Sequence, residues 1–372
     1  MKLCIVTRSV LKGDGQGRVN YELACEAVDQ GHQVTIIADS LAPDLQQKKN
    51  IRWIPVSVKQ FPTQLLSNMV FSRWVAAWLH THRSEFDLVQ VNGGSTNAAA
   101  DINMVHFVHS SWLRSPAHVS QQRRDFYGAY QWFYTYINAA WEKKILRQTK
   151  VVLSVSEKVK QELLDIGIPK EAIRVILNGV DLQEFCPGES DRKPLGLPEN
   201  VTLALFAGDI RTNRKNLDTV LRAMVQVPEL HLAVVGNTTG SSYPQLAAKL
   251  QISDRVHFLG YRQDLPEIMQ TADFFVFPSR YEPFGMVVTE AMASGLSVIT
   301  TKTAGAAEIV TLDCGIVLAD SEDTEGLFQA LNLLTRNPDQ RKQMGKVARL
   351  IAEQHSWSSK AQSYIELFEE TV

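Results

Sequence analysis

The chain has 372 residues, of which 45% are hydrophobic and 21% charged, with 21 Gly and 14 Pro. That composition excludes disordered, collagen-like and coiled-coil chains, and the length fits about two domains of roughly 100–200 residues each. The net charge of −2 does not suggest a nucleic-acid partner, yet it is unevenly spread: residues 1–180 carry 21 Lys and Arg against 15 Asp and Glu, residues 181–372 carry 17 against 25.

Short apolar, β-branched runs recur along the chain with helical patterns between them. In the first half, strands are predicted at Lys2–Val6, Gln33–Ala38, Asp87–Val91, Asn103–Val108 and Val151–Val155. In the second half they are predicted at Val201–Ala207, Leu230–Val235, Val256–Leu259, Asp273–Phe277, Ser297–Thr301 and Ile316–Leu318. Continuous runs of this kind suit strands buried on both faces of a parallel sheet. Predicted helices include Val19–Gln30, Leu217–Gln226, Gln245–Leu250, Met286–Ala293 and Glu325–Leu334. The alternation implies an α/β fold with right-handed crossovers. Pro187–Pro198 (PGESDRKPLGLP) reads as a linker, and Ser356–Val372 as a closing amphipathic helix. Two α/β domains joined near 180–198 follow, with ligands expected in the crevice between them, at the carboxyl ends of their strands.

Cys4, Cys25, Cys186 and Cys314 are widely spaced and form no CxxC pair, so they read as small buried hydrophobes. Met1–Thr7 lacks the apolar length of a signal peptide, and no run reaches the ~18 apolar residues of a membrane span. The expected location is the cytoplasm, with a peripheral position on the inner face of the membrane as the alternative.

Three segments carry chemistry. Lys12–Arg18 (KGDGQGR) reads as a glycine loop between a strand and a helix, where close backbone approach and free N–H groups favour an anion. Its Gly13-Asp14-Gly15-Gln16-Gly17 spacing does not complete a dinucleotide fingerprint, because Arg18 stands where the last glycine would be. Phe206–Asn216 (FAGDIRTNRKN) places Arg211, Arg214 and Lys215 after a strand that ends at Gly208. Cations at a helix start oppose its dipole, which suggests that they await an external anion such as a diphosphate. Phe277–Glu290 (FPSRYEPFGMVVTE) sets Glu282 on a loop and Glu290 two turns into a helix, on roughly one side. Carboxylates accept paired hydrogen bonds from vicinal hydroxyls, and the amides of Phe284, Gly285 and Met286 add donors. Ala304–Glu308 is expected to open a further helix in the same way.

Together these segments resemble the retaining family-4 glycosyltransferases of the GT-B fold. The resemblance is most specific over EPFGMVVTEAMASGLSVITTKTAGAAEIV (Glu282–Val310), with support from Gly15–Ala38, NGVD (Asn178–Asp181), the RKN of Arg214–Asn216 and SWSSKAQSY (Ser356–Tyr364). It implies two Rossmann-like parallel-sheet domains facing a central cleft, 1–180 plus 357–372 for the acceptor and 181–356 for the nucleotide sugar. The terminal helix would cross back to the first domain. The resemblance further implies that Glu282 holds the donor sugar, Glu290 the ribose, and Phe284, Gly285 and Met286 the sugar and diphosphate. Lys215, with Arg214 or Arg211, would neutralise the diphosphate. Gly15, Gly17 and Arg18 would approach a donor phosphate from the first domain. His109, in VHFVHSSW, matches the family's active-site histidine, and Arg262, after Gly260-Tyr261, is a candidate neighbour of the base. The sequence departs from the family where Gly208 is followed by Asp209 rather than arginine, and where Asn92 replaces a frequent histidine.

The implied reaction moves a hexose or N-acetylhexosamine from a nucleotide-diphosphate sugar to a hydroxyl of a glycan, glycolipid or polysaccharide. The anomeric configuration is kept, and neither a metal nor a protein nucleophile is expected. UDP-sugars come first and GDP-mannose second, while a sugar-nucleotide epimerase or a non-catalytic nucleotide-sugar-binding protein is the alternative of another class. Residues 112–147 interleave nine aromatic residues with six cations. They read first as a helical layer packed on the sheet, with some rings lining an acceptor cleft, then as a surface for an anionic membrane, and last as a platform for single-stranded nucleic acid.

Overall fold

The structure is a computed structural model that describes every residue except Asp14. The chain divides into two compact units, Met1–Gly179 with Trp357–Val372, and Val180–Ser356.

Seven strands build the sheet of the first unit: β1 (Lys2–Val6), β2 (Gln33–Ala38), β3 (Ile51–Pro55), β4 (Leu88–Asn92), β5 (Ile102–Val105), β6 (Val151–Ser154) and β7 (Ile173–Val175). Their order is β3-β2-β1-β4-β5-β6-β7, with every pair parallel. Burial explains which strands the sequence reveals: β4 and β5 are buried at every position, whereas β3 is only partly covered and ends in a proline. The helices used below are α1 (Gly15–Asp29), α2 (Gln64–His82), α3 (His109–Arg114) and α4 (Phe126–Leu146). Phe71, Val75 and Leu79 of α2 pack on Cys4, Val6, Val89 and Val91 from the centre of the sheet. All four cysteines are free thiols, and burial pushes the Cys4 thiol up to about 12.

The second unit holds six parallel strands: β8 (Thr202–Ala207), β9 (Leu230–Val235), β10 (Val256–Gly260), β11 (Phe274–Phe277), β12 (Ser297–Thr301) and β13 (Gly315–Leu318). Their order is β10-β9-β8-β11-β12-β13. Helix α5 (Leu217–Met224) follows β8, and α6 (Met286–Ala293) follows β11. In each unit the strand order reverses once, between β1 and β4 and between β8 and β11. Open α/β sheets bind ligands outside the carboxyl ends of the strands at such a switch point.

Three local expectations are corrected. Pro187–Pro198 is part of the second unit rather than a loose linker, because Arg192 donates to the carbonyls of Thr271 and Val201 at 2.8 Å each and to Asp273 at 2.9 Å. Helix α1 begins at Gly15, not Val19: Asn20 Nδ2 donates to the Gln16 carbonyl at 2.8 Å and Gln16 Nε2 to Thr7 Oγ1 at 3.2 Å, so the first turn is pinned to the end of β1. The segment after β12 forms only a five-residue 3-10 turn, Gly305–Ile309.

Candidate active site

In the second unit the loops after β8 and β11, on either side of the switch point, bring Lys215 and Glu282 together. Lys215 Nζ donates to Glu282 Oε2, with the two side chains 11% and 13% exposed. The ammonium also sits 5.1 Å from the centre of the Phe277 ring, a favourable cation–π distance. Gly208 makes room for this arrangement, since a Cβ there would lie 3.3 Å from Lys215 Cγ and 3.4 Å from the Phe277 ring. Burial lowers the Lys215 pKa from its ordinary value, with Glu282 opposing the shift. An ammonium has three donors, so pairing with Glu282 leaves two for an anion.

The turn that carries Lys215 is held from below. Asn213–Lys215 is one 3-10 turn, closed by Asn216 in the left-handed region at φ 65°. Buried Asn216 donates to the carbonyls of Pro278 at 2.9 Å and Ser321 at 2.6 Å and accepts from Thr219 Oγ1 at 2.6 Å. Arg280 adds a second clamp. Its guanidinium binds Asp218 at 2.8 and 2.9 Å, Glu322 at 2.6 and 2.9 Å, and the Asn213 carbonyl at 2.8 Å. The Arg280 amide and the Ser279 hydroxyl both donate to the Arg214 carbonyl, at 2.8 and 3.0 Å.

The loop that carries Glu282 is fixed by backbone bonds to the segment after β12. Glu282 N donates to Thr303 O at 3.1 Å, Gly305 N to Glu282 O at 3.1 Å, and Ala306 N to Phe284 O at 2.7 Å. Gly285 has φ 97°, and a Cβ there would come within 3.0 Å of Glu282 Cγ, so glycine is required twice over. Helix α6 starts directly afterwards at Met286; the Val288 amide donates to the Gly285 carbonyl at 2.9 Å, and the amides ahead of it are those that a helix start leaves without intrahelical acceptors. Glu290 is in the second turn of that helix and partly exposed.

The cations named from sequence separate here. Arg214 shares the turn of Lys215 and is near enough to depress its pKa, and its guanidinium has no hydrogen bond or ion pair among the described residues. Arg211 is 56% exposed and bonded through Nε and Nη2, one edge of its guanidinium, to Asp209 at 2.9 and 3.0 Å. Arg262 is likewise tied to Asp264, through Nε at 2.8 Å and through Nη2.

Within the first unit, His109 opens α3, and its backbone N and Nδ1 meet the carboxylate of Glu142 from α4 at 2.9 and 3.2 Å. Glu142 is 1% exposed. A carboxylate accepts, so in the neutral ring Nδ1 carries the proton and Nε2 is left as the acceptor. Gly15 is at the start of α1, while Gly17 and Arg18 are buried in its first turns. Arg18 Nε donates to Glu22 at 2.6 Å. The reading of Asp14 as part of a glycine loop lies outside the described residues. Asn92, at the end of β4, donates to the Val6 carbonyl and to Asn20 at 3.1 Å each and accepts from His106 Nε2 at 3.0 Å, bridging the switch point of this sheet.

Sequence reasoning missed Arg280, Glu142 and the clamping role of Asn216. Arg280 stood in full view between Ser279 and Tyr281, but its partners Asp218 and Glu322 are far away in the chain. Charge patterning along a segment does not reveal such a contact.

Two family models match the chain, "Glycosyltransferase Family 4" over residues 13–184 and "Glycosyl transferases group 1" over residues 188–350. Between them they take in nearly the whole sequence, and the chain belongs to this glycosyltransferase family. D-inositol 3-phosphate glycosyltransferase of Corynebacterium kroppenstedtii is 31% identical over 54% of this chain and 49% of that one, so the match spans about half of that relative. Among solved structures, sucrose-phosphate synthase from Thermosynechococcus elongatus superposes with a TM-score of 0.82 at 21% identity, covering 100% of this chain and 98% of that one. Anabaena HepE in complex with UDP and glucose gives 0.75 at 20% identity and covers 100% of both chains. These likenesses share the GT-B fold: two parallel-sheet α/β units.

Proposed function

We propose that the chain transfers a hexose or N-acetylhexosamine from a UDP-sugar to a hydroxyl of a glycan, glycolipid or polysaccharide, retaining the anomeric configuration and using no metal. The observation that carries this reading is the clamped Lys215–Glu282 pair beside Arg214 at the switch point of the second sheet. As the bond from C1 to the phosphate oxygen breaks, negative charge grows on the leaving diphosphate. Lys215, Arg214 and the first amides of α6 meet that charge in a site already organised for it. Glu282 accepts from hydroxyls of the transferred sugar, and Glu290 from the ribose. The leaving phosphate takes the proton of the acceptor, which attacks the face that it leaves. His109 is the substrate-contacting side chain of the first unit, and Glu142 positions it. Arg211 and Arg262, each already paired, draw the anion in rather than hold it. UDP is preferred over GDP because a structural neighbour was solved with UDP and glucose.

The test is release of free nucleotide from UDP- and GDP-sugars, with and without acceptors, together with thermal shifts in the same panel. A ligand present at about 100 times its Kd stabilises by roughly 2.7 kcal/mol. Lys215→Ala and Glu282→Ala are expected to lower turnover at least about a hundredfold, as loss of one preorganised electrostatic group does, with EDTA having no effect on the wild type. Full activity in both variants would sink the assignment.

A further inference from the structure

The outer face of α4 is aromatic, while its buried side mixes polar residues with Ala139, Ile145 and Leu146. Its buried side includes Thr135, Asn138 and Glu142, while Phe126 is 97% exposed and Trp132, Phe133 and Tyr136 are 46%, 50% and 51% exposed. The exposed positions recur three or four residues apart, from Phe133 through Tyr136 and Ala140 to Lys144 and Arg147, which marks one side of a helix. Trp132 and Tyr136 stack with centroids 5.2 Å apart and planes 10° from parallel. The reading of these aromatics as a layer packed on the sheet therefore fails for this stripe. Contiguous exposed aromatic surface of this kind signals an interaction site.

Charge identifies the partner. The helix and its flanks carry Arg123, Arg124, Lys143, Lys144, Arg147 and Lys150, against only Asp125 and Glu142 between residues 119 and 150. Asp125 pairs with Arg123 and caps α4 through the Gly128 amide at 2.9 Å, and Glu142 is buried against His109. Neither acid offsets the cations at the outer surface. A neutral glycan would use the rings and ignore the cations, and a second copy would bring a further excess of cations to the same face. An anionic layer with an apolar layer beneath it uses both.

We propose that this face docks the protein on an anionic lipid surface. Trp132, Phe133 and Tyr136 enter the interfacial layer, and Lys143, Lys144 and Arg147 rest on head-group phosphates. The contact is independent of the donor chemistry, and its test needs no sugar nucleotide.

The full chain is sedimented with vesicles of phosphatidylcholine alone and of phosphatidylcholine with 30% phosphatidylglycerol. Binding is expected to the anionic vesicles only, to weaken in about 0.5 M salt, and to shift tryptophan emission to the blue. Each cation contributes roughly fivefold at such a surface, so Lys143→Glu/Lys144→Glu should weaken partition about thirtyfold or more. Trp132→Ser/Phe133→Ser should abolish the blue shift at an unchanged melting temperature. No binding to anionic vesicles at low salt, or equal binding by both variants, overturns the proposal. A dimer in solution that the Trp132→Ser/Phe133→Ser variant disrupts, with no vesicle binding by the wild type, overturns it in favour of a second copy.

Discussion

The burial of the Lys215 ammonium is predicted to set a pH limit on activity. Desolvation favours its neutral form, and Glu282 restores only part of the loss. The folded-state pKa is therefore below the unfolded value. Between the two, the unfolded chain binds more protons, so the contribution of this residue to stability rises with pH through that window. Activity is predicted to move the other way, because the charge proposed to meet the diphosphate disappears as pH climbs through the folded pKa. We predict an alkaline limb in kcat/KM for the donor that begins below the ordinary lysine value of about 10.4. Lys215→Arg should retain a fraction of the activity without that limb, since guanidinium does not titrate there. A limb at the same pH in wild type and variant would show that another group is responsible. Lys215 and Glu282 were legible in the sequence as candidates through the resemblance, but their direct pairing was not. Two loops separated by 67 residues meet only because β8 and β11 are neighbours.

At the next scale, the turn Asn213–Asn216 that carries Lys215 is shaped by contacts from elsewhere in the chain. Arg280 holds it through a carbonyl and an amide while spanning Asp218 and Glu322. Removing this guanidinium leaves two carboxylates facing each other and frees the turn. Arg280→Ala should cost about 1–3 kcal/mol, the range for leaving hydrogen-bond partners unsatisfied, because Arg280 is buried while Asp218 is a quarter and Glu322 more than half exposed, and should raise the donor KM as well as lower kcat. Arg280→Lys keeps the charge without the planar fork and should fall between. Melting curves with donor titrations check both, and an unaltered KM in a folded Arg280→Ala protein would refute the positioning role. The strands missed from sequence have a common cause. Ile51–Pro55 and Ile173–Val175 are the edges of their sheet, partly solvated, and one sets Arg52 and Trp53 side by side between two isoleucines while the other has only three residues. Central strands, buried on both faces, announce themselves as unbroken apolar runs; these two edge strands do not, whereas the edges of the second sheet, Val256–Gly260 and Gly315–Leu318, hold apolar runs legible as strands in the sequence. The start of α1 was misread because glycines signal a loop locally, whereas Asn20 and Gln16 tie that turn to β1.

For the whole molecule, the α/β alternation conveyed two parallel sheets, but chain order does not by itself say which unit owns the last sixteen residues. Packing does. The terminal helix, Trp357–Thr371, lies along α1 and belongs to the first unit. Its Tyr364, Ile365 and Phe368 are at most 1% exposed, and Trp357 is 6% exposed. Gly179 allows the close approach, since a Cβ there would meet Trp357 Cα at 2.7 Å. Lys150 Nζ ties down the end of the helix at the Thr371 carbonyl, at 2.9 Å. Burying four such side chains contributes roughly 6–12 kcal/mol, comparable with the ~5–15 kcal/mol stability of a typical protein. A chain ended at Ser356 should therefore lose the first unit while the second, Val180–Ser356, still folds. Limited proteolysis of the truncated chain should leave a resistant fragment of about that span and digest residues 1–179 early. In the full chain, Phe368→Ala alone should cost about 3–5 kcal/mol as a cavity in a packed core. Equal protection of both units after truncation would mean that the first unit closes its core without the helix, and the estimate from buried side chains would then be wrong.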